Sequence, residues 1–162
     1  MEVASISQIK RELSERSSEE IIEYCLRMAK YKKDNKELLN YLMFEAFDES
    51  SYIEELKQEI VQEFNGINID SVYYAKKSIR RILRFVTKHI RYSGIKQTEV
   101  ELLIFFCRQF RSLPISFHQS KLLMNVYDRQ LQHIQKAMKQ LDEDLQFDYQ
   151  GELENINCPL PM

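Results

Sequence analysis

Apolar residues recur every three or four positions along most of this chain, and helix-capping signals divide one apolar run from the next. Ser17 and Glu20, for example, form an S-x-x-E capping box ahead of the amphipathic run "EEIIEYCLRMAKY". Gly94 ends the longest run, which begins at Asp70 or Ser71. The pattern predicts about seven helices, starting near Ser5, Ser17, Asp34, Ser50 or Ser51, Asp70 or Ser71, Thr98, and Phe117 or Ser120.

The connections between these helices are short, which predicts antiparallel neighbours in an all-α domain. The chain of 162 residues contains three glycines and three prolines, too few for a sheet of many hairpins. The last helix is expected to end near Leu145. Residues 1–145 are therefore predicted to form one helical domain, and residues 146–162 an acidic tail that either frays or lies on its surface.

Successive helix pairs joined by short connectors also build α-solenoids. Over residues 5–140 the chain resembles HEAT and armadillo helical-repeat proteins in this general pattern, although it shows no clean internal repeat. The resemblance implies a short right-handed HEAT-like superhelix of antiparallel helix pairs. An irregular helical bundle is the alternative.

Charge is distributed unevenly along the chain, although the net charge is only −2. Residues 1–69 contain 9 Lys/Arg and 15 Asp/Glu, a net charge of −6. Residues 70–140 contain 14 basic and 4 acidic residues, a net charge of +10, and residues 141–162 contain 6 acidic and no basic residues. The middle of the molecule is therefore predicted to carry a cationic surface.

On a helical wheel, the basic residues of the helix before Gly94 lie on one side and its apolar residues lie on the other. This basic stripe extends about 22 Å along the helix. Tyr73, Phe85 and Tyr92 lie beside it, where a base of a single strand would stack. The stripe comprises Lys76, Lys77, Arg80, Arg81, Arg84, Lys88 and Arg91; the residues that would widen it are Arg108, Arg111, Arg129, Lys136 and Lys139.

Sequence signals of catalysis, cofactor binding and metal binding are weak. The three histidines, His89, His118 and His133, are scattered, and no H-E-x-x-H, C-x-x-C, phosphate-binding loop or nucleophile elbow occurs. Cys107 lies in the apolar run "LLIFFCRQF", where burial keeps a thiol neutral. The chain has no apolar run long enough to span a membrane. We therefore expect a cytoplasmic protein without enzymatic activity, metal or cofactor.

Three interpretations of the basic stripe stay open. It is the solvated side of an ordinary helix, or is neutralised internally by the acidic segment "LDEDLQFDYQGELE". Alternatively, it binds an acidic protein segment, including one from another copy of the chain. The third interpretation is nucleic-acid binding, as in the DNA-binding HEAT-like glycosylases, whose catalytic acid has no counterpart here. Our prediction is a binding or scaffold module for acidic protein segments.

Overall fold

The structure is a computed structural model, and it describes residues 2–115 and 120–158. Within these residues the chain forms eight α-helices and no strand, which confirms the predicted all-α class. The chain divides into two compact units, residues 1–46 and residues 47–162. The prediction of one domain over residues 1–145 stays a prediction. None of the helices in the described part of the chain is both long enough and apolar enough to cross a membrane.

The first unit contains three short helices and a single π-helical turn. Ser17 caps its second helix through the predicted box with Glu20, whose backbone N–H lies 3.2 Å from the Ser17 hydroxyl. Asp34 is not a cap, because the third helix starts one residue earlier. The elements are α1 (Ile6–Ser14), α2 (Ser18–Tyr31), α3 (Lys33–Asn40) and the π-helical turn Tyr41–Glu45.

The second unit contains five longer helices, and α6 lies at its centre. Helix α6 packs against α4, α5, α7 and α8 and is buried on most sides, as expected for a helix that is apolar nearly all round. The helices are α4 (Glu49–Asn65), α5 (Val72–Ser93), α6 (Lys96–Arg111), α7 (Lys121–Met138) and α8 (Glu143–Asn157). The buried residues of α6 are Thr98, Val100, Leu102, Leu103, Ile104, Phe106, Cys107 and Phe110.

Two predicted helix starts in this unit are wrong. Asp48, and not Ser50 or Ser51, caps α4, because its carboxylate accepts the backbone N–H of Ser51 at 3.1 Å. Thr98 is inside α6 and buried, and its hydroxyl donates to Glu49 Oε1 at 2.6 Å. The Thr98 hydroxyl therefore joins α6 to α4 through a hydrogen bond and does not cap α6.

Two pairs of consecutive helices in the second unit, α4 with α5 and α7 with α8, run antiparallel, as predicted. The end of α4 meets the start half of α5 through Glu63 and Arg81, and the start of α4 meets the end of α5 through Tyr52 and His89. The start of α7 meets the end of α8, where the Tyr127 hydroxyl donates to the Ile156 carbonyl. Helices α5 and α7 both pack against α6, so their outer faces are the sides that point away from α6.

The end of the last helix is predicted wrongly. Helix α7 ends at Met138, and residues expected to form a tail are helix α8. Tyr149, Leu153 and Ile156 of α8 are buried, so this segment contributes to the core. Residues 159–162 of the predicted tail lie outside the described residues.

Candidate anion-binding face on helix α5

Helix α5 presents one apolar and one basic side because its sequence is strongly amphipathic. Its buried residues, Ala75, Ile79, Ile82 and Val86, follow each other at intervals of three or four positions. Gly94 ends the helix with a left-handed backbone, φ 68°, and its N–H donates to the Ile90 carbonyl at 2.9 Å. The side of α5 opposite the buried residues therefore faces solvent along its length.

The seven residues of the basic stripe lie on this outer side. Two of them, Lys76 and Lys88, are partly exposed. The other five are exposed: Lys77, Arg80, Arg81, Arg84 and Arg91. The structure thus places all seven at the surface of one helix.

Two of the seven have a partner within the second unit. The Arg81 guanidinium lies 2.6 Å from the Glu63 carboxylate, and the Lys88 ammonium lies 5.9 Å from the centre of the Tyr92 ring. For the remaining five, Lys76, Lys77, Arg80, Arg84 and Arg91, no carboxylate of the described residues lies within 4.0 Å. Pairing within residues 2–115 and 120–158 accordingly neutralises only part of the stripe.

Four of the unpaired cations line one groove between α5 and the start of α7. The groove has a volume of about 370 Å³ and is open to solvent. Its walls combine positive charge with two exposed apolar surfaces, the ring of Tyr73 and the side chain of Leu122. We call this feature the basic groove; it is lined by Tyr73, Lys76, Lys77, Arg80, Arg84 and Leu122.

The electrostatics of the basic groove favour an anion. Lys76, Arg80, Arg84 and Lys88 are spaced four residues apart, and like charges at this spacing destabilise a helix by a few tenths of a kcal/mol per pair. Leu122 is the second residue of α7, so the positive end of that helix dipole also lies beside the groove. A bound carboxylate or phosphate would reduce the repulsion among these cations and would interact favourably with the positive end of α7.

The acidic C-terminal segment does not neutralise the stripe within the described residues. It is held on α6 instead, where Glu152 lies 2.8 Å from Arg108 and Arg111 donates to the carbonyl oxygen of Cys158 at 2.6 Å. Arg108 and Arg111 therefore bind α8 and do not widen the stripe. The other residues considered for this role, Arg129, Lys136 and Lys139, are exposed on or just after α7.

Of the three aromatic residues predicted beside the stripe, Tyr73 is the one that lines the basic groove. Phe85 and Tyr92 pack instead against the His89 ring, with centroid distances of 4.4 and 5.4 Å. His89 is also hydrogen-bonded through Nδ1 to the Tyr52 hydroxyl at 2.7 Å. This aromatic cluster joins α4 to α5 and is partly buried.

Other candidate chemistry lies away from the groove. Burial raises the pKa of the Cys107 thiol to about 12, so the thiol stays protonated at neutral pH. His133 is exposed on α7, and His118 lies outside the described residues. Among the residues that the structure describes, no three His, Cys, Asp or Glu side chains are grouped as metal ligands would be.

Sequence reasoning missed Leu122, which completes the basic groove. This residue lies on a different helix, 38 positions after Arg84 in the chain, and is brought there by the packing of α5 and α7 around α6. An apolar residue in the first turn of an amphipathic helix carries no sequence signal of binding.

Comparison with protein-family models, with curated proteins and with solved structures finds no match to this chain.

Proposed function

We propose that this chain is a non-enzymatic binding module whose basic groove takes an acidic segment of a protein. The observation that carries the proposal is the set of four cations, Lys76, Lys77, Arg80 and Arg84, that line one open groove without a carboxylate within 4.0 Å among the described residues. Carboxylates at the groove would form charge-assisted hydrogen bonds with these side chains.

The apolar part of the groove favours a peptide over a simple anion. Leu122 is 42% exposed and Tyr73 is 70% exposed, so an apolar side chain between two acidic residues would bury surface on both. Such an anchor adds affinity that salt does not screen, whereas the charged contacts set the association rate and the specificity.

Nucleic acid is the alternative ligand, and one observation counts against it. Proteins that bind single strands offer several aromatic side chains on which successive bases stack. Here Phe85 and Tyr92 pack on His89, which leaves Tyr73 as the aromatic side chain of the predicted three at the groove. A phosphate backbone would still be attracted to the stripe.

We keep a HEAT-like arrangement of antiparallel helix pairs as the proposed type of fold. The three cysteines, Cys25, Cys107 and Cys158, are unpaired, which agrees with a reducing compartment such as the cytoplasm.

The two ligand classes can be separated by competition on the full chain. Fluorescence anisotropy would follow a labelled peptide of alternating Glu and Leu residues while unlabelled single-stranded oligo(dT) is added, and then the reverse. The proposal predicts tight peptide binding that excess oligo(dT) displaces poorly. Preferred binding of oligo(dT), with a log–log salt slope of about −0.7 per phosphate, would instead establish the nucleic-acid alternative.

A further inference from the structure

Helix α8 carries an acidic face with an apolar side chain at its centre. The Phe147 side chain is 82% exposed, although it is one of the largest apolar residues of the chain. On the helical wheel it lies within an arc of about 140° that also contains the acidic residues Glu143, Asp144, Asp148 and Glu154. The opposite side of the helix is buried. We call these five residues the outer face of α8.

Most carboxylates of this face have no cationic partner among the residues that the structure describes. For Glu143, Asp144 and Asp148, no Lys, Arg or His nitrogen of the described residues lies within 4.0 Å. The first two also complement the dipole at the start of α8, which explains their presence without a ligand. Asp148 and Glu154 lie beyond the first turn, so the helix dipole does not explain them.

The outer face of α8 and the basic groove match in charge, in apolar content and in length. One offers carboxylates around the Phe147 ring, and the other offers cations around Leu122 and Tyr73. From Glu143 to Glu154 the face extends about 16 Å, while the groove cations from Lys76 to Arg84 extend about 12 Å. The carboxylates of one surface can therefore pair with the cations of the other, while the apolar side chains of the two surfaces contact each other.

We propose that the basic groove of one copy of this chain binds the outer face of α8 of a second copy, with Phe147 placed against Leu122 and Tyr73. This inference rests on the proposed function, because it identifies the acidic segment that the groove takes. The partner is a second copy because α8 is fixed in its own chain, where Tyr149, Leu153 and Ile156 are buried.

The two surfaces are different, so the association is head-to-tail. Each copy that uses its groove still has a free α8 face, and the association continues until a ring closes or an open chain forms. Because the contacts are largely between exposed charges, the association weakens with salt. The proposal therefore predicts an assembly that grows with protein concentration and weakens with salt.

A mixing experiment with two full-length variants tests this geometry. The groove variant carries Arg80→Glu and Arg84→Glu, and the α8 variant carries Phe147→Ser and Asp148→Asn, so that the two defective surfaces do not attract each other. Each variant alone lacks one side of the interface and is expected to sediment as a monomer, whereas the wild type gains mass with concentration. When the two are mixed, the intact groove of one and the intact α8 face of the other should form a dimer and nothing larger.

The control carries Arg129→Glu and Lys136→Glu on α7. These changes alter the net charge of the protein by the same amount as the groove substitutions but lie outside the groove, so the control should assemble like the wild type. Circular dichroism melting verifies that all variants are folded, and Arg80→Gln with Arg84→Gln is the milder substitute. A monomeric wild type at every concentration, or a mixture that stays monomeric, overturns the inference. If that monomer still binds the Glu/Leu peptide and the groove variant does not, the proposed function stands without it. If the groove variant binds the peptide as well as the wild type, the proposed function fails too.

Discussion

Arg80 and Arg84 lie one helical turn apart on α5, line the same groove, and have no carboxylate of the described residues within 4.0 Å. Arg81, which follows Arg80 in the chain, differs from them because it is paired with Glu63 at 2.6 Å. Two of three closely spaced guanidinium groups thus stay without a carboxylate partner in the described part of the chain, at a cost in helix stability. Proteins tolerate such a cost where a site serves binding.

Arg84→Glu is expected to stabilise the free protein by about 0.5 to 1 kcal/mol, because the new carboxylate lies four residues from both Arg80 and Lys88. The same change should abolish binding of an acidic peptide. Urea unfolding at low salt measures the first effect, and anisotropy measures the second.

The matched control for this prediction is Arg129→Glu on α7, which has no charged residue four positions away on either side. Its unfolding free energy should change by less than about 0.5 kcal/mol. A loss of stability in Arg84→Glu that Arg129→Glu does not share would contradict the view that the stripe is electrostatically strained.

Two glycines of the second unit should respond to alanine in opposite directions. Gly151 is within α8, and an added Cβ would meet no atom within 4 Å, so Gly151→Ala should stabilise the protein by about 0.5 to 1 kcal/mol. Gly94 has φ 68°, where a side chain is strained, so Gly94→Ala should destabilise it by about 1 kcal/mol. Thermal melts of both variants are the measurement; a stabilised Gly94→Ala would show that α5 does not end in the left-handed conformation.

The helix class and the basic stripe could be predicted from the sequence because both depend on local periodicity. The apolar positions of α5 recur regularly and Gly94 is a strong stop, so the wheel placed the basic residues correctly on one side. Helix α8 could not be predicted in this way, because Gly151 has a low helix propensity and it is the burial of Tyr149, Leu153 and Ile156 in the packed unit that outweighs it.

Features that depend on tertiary packing could not be predicted. Thr98 and Glu101 form a perfect capping box in the sequence, but Thr98 is inside α6 and donates to Glu49, which lies 49 positions earlier. Leu122 reaches the groove for the same reason, since only the packed helices bring it beside α5. Local signals carry no information about such distant pairs.

Alkaline pH should destabilise the protein partly through Tyr127. Burial raises the pKa of this hydroxyl from its ordinary value of 10.0 to about 12, so the folded state keeps a proton that the unfolded state loses above about pH 10. The contribution of Tyr127 to the free energy of unfolding is therefore fully present below about pH 10, and it falls by about 2 kcal/mol as the pH rises to about 12.

Tyr127→Phe removes this contribution, and it also removes the hydrogen bond to the Ile156 carbonyl, so the variant should start less stable at neutral pH. Its urea midpoint should then fall less steeply between pH 9 and 11 than that of the wild type. Parallel curves for the two proteins would show that Tyr127 ionises normally in the folded state.

The two cysteines of the second unit should differ in reactivity. Cys158 is exposed, whereas Cys107 is buried and its raised pKa keeps it as the unreactive thiol. A disulfide reagent at pH 8 should modify Cys158 in the native protein and Cys107 only after denaturation, as peptide mass mapping would reveal. Rapid modification of Cys107 under native conditions would contradict the central packing of α6.

The central claim, that the basic groove binds acidic protein segments, is tested most directly by peptide titration. A labelled Glu/Leu peptide would be titrated with the wild type, with Arg80→Gln/Arg84→Gln, and with the control Arg129→Gln/Lys136→Gln. The account predicts at least about tenfold weaker binding for the groove variant and wild-type affinity for the control. Equal affinity of all three proteins, or no binding by the wild type at low salt, would contradict it.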